Sequence, residues 1–230
     1  MRQISQVLLI IATSFFIFSC SKSDPVIELT EQEMVDVIKV NFLESYGGFE
    51  KERVFFNEIA IKEINNCETD TTFHTQIESN NNISSLEFKG RYNFKCIENN
   101  AGIYNNRFMY FFLNNGSKGQ SIHNNLTIDF DINTKITIAE NKDDNIFTYS
   151  GHSFRNLTIN KQNQSLSGLI TTISNTSPFD FENNKLSEKN SFDISLVIHS
   201  NGDKTLDGII SKVQGIWIFI SEDGTSYILE

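Results

Sequence analysis

Proline is nearly absent from this chain of 230 residues, which holds two in all. Turns must then be made by other residues, and asparagine, at 27, is there to make them: its side chain caps turns and its backbone tolerates left-handed geometry. Cations are short as well, with 19 Lys and Arg against 29 Asp and Glu, a formal charge of −10 and no basic stripe. Such a surface repels phosphate backbones and speaks against nucleic acid as a partner. The four histidines, His74, His123, His152 and His199, are dispersed without an HxH, HExxH or Cys/His cluster, so neither a metal nor another cofactor is expected. "YSGHSF" around His152 lacks the G-x-S-x-G elbow of a hydrolase. The acids Asp129, Asp131, Asp143, Asp144, Asp203 and Asp207 match no calcium loop, and nothing selects a glycosidase pair among them; they read as solvated strand and turn acids.

Long apolar runs are missing too. The longest largely apolar segment, residues 7 to 18, would rise about 18 Å as a helix, against roughly 30 Å of bilayer hydrocarbon. What surrounds it is informative: Arg2 and the α-amino group before it, the small Ser19 after it, then Cys20 and the polar "SKSD". This is the layout of a signal peptide. With Ile17 as the branched residue, Ser19 as the small one and Cys20 after them, it resembles the lipobox of bacterial lipoproteins. That resemblance implies cleavage between Ser19 and Cys20, a diacylglyceryl thioether on Cys20 and acylation of the new amino group, by palmitate or a similar chain. More than one buried chain, at about 0.8 kcal/mol per methylene, gives stable anchoring. Residues 21 to 24 are similar to the tether of lipoproteins from the Bacteroidota, which implies a cell-envelope protein on the outer membrane, facing the periplasm or the surface. Three segments follow: a signal peptide over 1–19, a lipidated tether over 20–28 and one domain over 29–230. Losing Arg2 leaves the mature chain at about −11.

Twenty phenylalanines supply core volume that a disordered chain would lack. "LTEQEMVDVIKVNFLESYGG" predicts an amphipathic helix over residues 31 to 45: Thr30 and Glu33 form a capping box, Leu29 staples Met34, Met34, Val35, Ile38 and Phe42 recur at helical spacing, and Gly47-Gly48 ends it. Its polar face is acidic, so its stripe is suited to covering a sheet and not a membrane. From Arg53 onward, alternating runs separated by Asn/Gly/Ser/Asp clusters every eight to twelve residues predict a mainly β domain, an antiparallel sandwich or curled half-barrel. "FKGRYNF" and "YSGHSF" echo each other some sixty residues apart, which allows two similar halves.

Register arguments sharpen this. In "LTIDFDINTKITIA" a three-residue loop over 133–135 sets Phe130 opposite Ile138, and near Asn201-Gly202 a three-residue loop sets Ile198 opposite Leu206 and Ile194 opposite Ile210. A hairpin turning at Asn81-Asn82 sets Ile77 opposite Leu86, Thr75 opposite Phe88, and Cys67 opposite Cys96. In an oxidising envelope that pair predicts a disulfide worth about 3 to 4 kcal/mol in the chain-entropy model, and it leaves Cys20 as the odd thiol. "GIWIFISEDGTSYILE" reads as two strands around a turn over 222–225. Because Ile216, Trp217 and Ile218 are apolar on both faces, the first strand is expected to be doubly covered or to line a ligand cavity.

The function expected from these residues is non-enzymatic: binding an envelope protein or glycan, or an accessory structural role, with the membrane as partner through the lipid anchor. A carrier or sensor of lipid or another hydrophobic molecule is second, and a glycan-acting hydrolase third.

Overall fold

The computed structural model describes residues 27–63, 69–96, 106–141, 146–181, 183, 185–186, 190–200 and 202–230. The capping box forms as expected. Thr30 Oγ1 accepts from the Glu33 amide at 3.2 Å while Glu33 Oε2 accepts from the Thr30 amide at 2.8 Å, starting helix α1, Glu31–Phe42. The helix stops three residues before the predicted end and tightens into a 3-10 turn, Glu44–Tyr46, closed by Gly47 at φ 76°. Gly48 is required by space, since a Cβ there would sit 2.4 Å from the Phe42 carbonyl carbon.

A second helix, α2, Phe49–Glu63, replaces the strand expected to begin at Arg53. Its buried side is not an apolar stripe: beside Phe49, Phe56 and Ala60 it buries Glu50, Glu52, Arg53 and Asn57. Polar residues at core positions break the hydrophobic period by which an amphipathic helix is recognised.

Among the described residues, the remainder is one open antiparallel sheet of eleven strands in sequence order: β1 Asp70–Ile77, β2 Ile83–Cys96, β3 Asn106–His123, β4 Leu126–Asn141, β5 Phe147–Lys161, β6 Gln164–Asp180, β8 Ser191–His199, β9 Lys204–Val213, β10 Ile216–Ser221 and β11 Ser226–Ile228, with the short β7, Lys185–Leu186, paired to β6 alone. The strands form one hydrogen-bonded sheet, in keeping with the predicted mainly β antiparallel fold. Ten strands on the main path, laid flat at about 4.8 Å spacing, would span about 45 Å, whereas two helices of roughly 10 Å diameter cover about half of that. Yet Phe73 and Phe88 near one edge and Phe192, Trp217 and Phe219 near the other all pack into one core with the helices, so the sheet curls about them. Phe42 of α1 meets Phe192 and Trp217 with ring centroids at 5.0 Å, and Phe56 of α2 stacks on Phe112 at 4.9 Å.

The first hairpin has the predicted register over residues 70–77 and 86–93. Ile77 faces Leu86, Thr75 faces Phe88, and the Asn80 amide bonds the Ile83 carbonyl at 3.0 Å around Asn81-Asn82. Asn80 Oδ1 takes the Asn82 and Ile83 amides at 2.8 and 2.9 Å, the side-chain turn for which asparagine is suited.

The second does not exist. Residues 133–135 lie mid-strand in β4, with Thr134 buried and its hydroxyl 2.6 Å from that of Ser153. Even-numbered residues from Leu126 to Ile138 are buried without a change of parity, so Asn-Thr-Lys does not turn the chain. In the third hairpin the faces agree and the register slips by two: Leu196, not Ile198, faces Leu206, and Phe192 faces Ile210. The connection is longer than the predicted three residues, and the His199 Nδ1–Asp203 Oδ1 contact at 3.1 Å braces it.

β10 and β11 pair around the predicted turn, but β10 lies second from the sheet edge and is covered on one side only. Trp217 and Phe219 are buried while Ile216 and Ile220 stand 42% and 38% exposed. The two echoing stretches share one device: Gly90 and Gly151 each follow a register shift in a long strand, where a β-bulge bends the sheet.

Candidate functional site

Among the described residues, three places gather chemistry. The first is buried beneath the helices. α2 lowers Glu52 onto the sheet, where one carboxylate oxygen pairs with Arg155 of β5 and the other accepts from Asn114 Nδ2 at 2.9 Å. Arg155 also donates to the Gly47 carbonyl at 3.2 Å and lies 5.0 Å over the Phe130 ring. Asn114 in turn accepts from Ser117, which the bulge at Gly116 (φ 77°) turns toward the Lys89 amide at 2.6 Å. Glu52, Asn114, Ser117 and Arg155 are all at most 2% exposed. Beside them Arg53 grips Glu50 through two hydrogen bonds of 2.9 and 3.0 Å. Burial pushes the Tyr149 phenol well above its ordinary value, so it stays neutral; neither its hydroxyl nor Arg155 Nε finds a described partner. Without access to solvent this network has no route for a substrate. What it does is tie helix to sheet with charge-assisted bonds.

The second place is a rim cluster. His123 Nδ1 sits 3.0 Å from the Tyr46 hydroxyl, its Nε2 3.5 Å from Asp36, and Asn124 donates to the other Asp36 oxygen at 2.8 Å. The order acid–imidazole–hydroxyl resembles a nucleophile relay, but burial, together with the charges of Asp36 and Glu230, raises the Tyr46 phenol above its ordinary value, the reverse of activation. The cluster clasps α1 to the β3–β4 turn.

The third lies on the open face, away from the helices. Ile173, Ile209, Val213, Ile216, Ile220 and Ile228 are exposed by 38 to 72%. Ile209 pairs with Ile220, Val213 with Ile216, and Ile218 with Ile228, so the patch is continuous over β9, β10 and β11, and Ile173 joins across Asp193. A groove of about 690 Å³ runs over it, lined by Ile173, Asp193, Asp207, Ile209, Ile220 and Glu222 among others.

The sequence-predicted residues fall elsewhere. Ser19, Cys20, Cys67, Asp143 and Asp144 lie outside the described residues; Cys96 closes β2 opposite Phe108. His74 pairs with Glu87 at 2.8 Å, His152 meets Phe154, Asp129 accepts from Gln120 at 2.6 Å and Asn160 at 3.1 Å, and Asp131 lies 3.5 Å from Lys118. Among the described residues no three His, Cys, Asp or Glu side chains gather as a metal site, and no helix is long and apolar enough to cross a membrane. Sequence reading missed Glu52 and Arg155, which have no local signature. It also missed the open-face patch, whose signal was the two-faced apolar run of β10.

No protein-family model matches this chain, and no curated protein or solved structure gives a significant match.

Proposed function

We propose that this chain is a lipid-anchored envelope protein that works by binding a partner, and that the open face of β9 to β11 is its working surface. The observation that carries the reading is that continuous patch of exposed isoleucine and valine. Scattered surface aliphatics need no explanation, whereas a contiguous patch bordered by polar residues marks an interaction site. The helix-covered face supports the same reading over that of a hydrophobic carrier, because Phe42, Phe49 and Phe56 occupy the space a ligand would need and are fully buried there. The hydrolase reading gains no support from Asp131, Asp203 and Asp129, which pair with lysine, histidine and an amide.

Anchoring rests on Cys20 and its lipobox, with a structural disulfide between Cys67 and Cys96. For the disulfide, support comes from the β1–β2 register, which runs unbroken from Ile77/Leu86 to Asp70/Asn93 and continues in the Phe94 amide bond to the Thr69 carbonyl at 2.8 Å. Two positions further along, the same count joins 67 to 96.

A photo-crosslinking residue placed at 209 in living cells tests the reading. A discrete adduct, lost on Ile220→Asp and not formed from position 72 at the far edge of the sheet, is the expected result. Equal labelling from both positions, or a mature protein that takes up a fluorescent fatty acid stoichiometrically, would overturn it.

A further inference from the structure

The groove on the open face has a charge as well as a shape. Its floor is Ile173, Ile209 and Ile220, and its lining carries Asp193, Asp207 and Glu222 with no lysine or arginine. Asp193 stands in the same transverse row as the three isoleucines, between Ile173 on β6 and Ile209 on β9. Asp207 is one side-chain pair further along β9, and the Glu222 amide bonds its carbonyl at 3.0 Å. Some exposed acids elsewhere on the molecule find cations: Asp131 has Lys118, Asp70 has Arg91, and Glu28 has Lys204. Here none of the three carboxylates is hydrogen-bonded or ion-paired to a described residue, and Asp207 Oδ1 is screened from solvent as well.

A carboxylate oxygen that is shielded and unpaired is costly, and its cost falls when a cation donates to it. Apolar floor and anionic wall together define the occupant: a chain that presents aliphatic side chains to the isoleucines and an arginine or lysine to the acids. Arginine suits best, because its planar fork bonds a carboxylate through two parallel hydrogen bonds and its weakly hydrated face tolerates an apolar surround. A second copy of this chain is disfavoured as the occupant, since it would bring three more carboxylates to the same groove.

We propose that the Ile173–Ile209–Ile220 groove docks a segment of a partner protein carrying arginine or lysine beside aliphatic side chains, held by Asp193, Asp207 and Glu222. This rests on the partner-binding reading above and names the chemistry of the partner.

The test uses the full chain purified in non-ionic detergent, with detergent alone as blank, and two labelled six-residue peptides with blocked ends, one alternating leucine and arginine and one alternating leucine and glutamate. Fluorescence anisotropy is expected to show saturable binding of the arginine peptide, at least tenfold tighter than the glutamate peptide and weakening as salt rises. In the pair of changes Asp193→Asn and Asp207→Asn that preference is expected to vanish while the urea midpoint stays at or above the parent's. No saturable binding, equal affinity for the two peptides, or an unchanged preference in the double variant overturns the proposal. So does a dimer in sedimentation that Ile209→Lys dissociates, which gives the groove to a second copy. If the peptides fail but the crosslink from position 209 persists, the partner's chemistry is wrong and the partner-binding reading stands; if the crosslink also fails, both fall.

Discussion

Glu52 and Arg155 are the two side chains on which the interior turns. Each is a charge removed from water, and each is tolerable only because the other, with Asn114 and the Gly47 carbonyl, completes its bonds. Removing one partner of such a pair costs about 3 to 5 kcal/mol, while replacing both with apolar residues of similar volume is near neutral or stabilising. Glu52→Gln is therefore expected to lower the unfolding free energy by several kcal/mol in urea titration, and Glu52→Met with Arg155→Met to recover most of the loss. A double variant no better than the single would show that the network contributes more than the pairing of its charges. At the start of α1, burial works against the Glu33 carboxylate, but hydrogen bonds from Lys161 and Thr30 outweigh it and hold its pKa below the ordinary value. A depressed folded pKa contributes stability that is fully present above the unfolded value, about 4.5, and is lost as pH falls through the folded one. Stability measured from pH 6 down to 3 is expected to fall less steeply in Glu33→Gln than in the parent, and an identical slope would remove Glu33 from the account.

Among the elements, β4 and α2 show what a pattern in sequence does and does not carry. α1 and the β1–β2 hairpin were legible because each announces itself locally, the one by Thr30 with Glu33 and the other by Asn80 to Asn82 between alternating strands. β4 was misread because Asn133 has the chemistry of a turn, although the unbroken parity from Leu126 through Thr134 to Ile138 outweighs it. The amides of residues 133 to 135 are accordingly expected to exchange with solvent as slowly as those of Ile128 and Ile138; fast exchange would restore the turn. α2 stayed hidden because its core positions hold Glu50, Glu52, Arg53 and Asn57, and those polar partners lie up to 124 residues away, as for Asn57 bonding the Phe181 carbonyl. Local pattern has no access to a partner so distant in sequence. The open-face patch was equally hidden: that β10 is apolar on both sides was plain, but which side the helices cover is decided only when the sheet curls over Phe42.

For the molecule as a whole, the proposed anchor at Cys20 and the proposed Cys67–Cys96 disulfide each have a direct test. Cys20→Ala is expected to leave an uncleaved precursor and to change its fractionation with membranes; a chain whose mass and fractionation do not change would remove the anchor. Non-reducing mass spectrometry of the mature protein is expected to find Cys67 joined to Cys96, and two free thiols there would contradict the register extension. On the proposed reading, the acidic apolar face over β9 to β11 is the surface that meets a partner. The most direct measurement is the rate at which a thiol probe labels Ile209→Cys, read by mass spectrometry of its peptide, in the purified protein and in native membranes. Labelling that is fast when purified and at least tenfold slower in membranes, with Thr72→Cys equally reactive in both, is the predicted result. Equal rates at position 209 in the two settings would show that nothing covers this face, and the account of its function would be wrong.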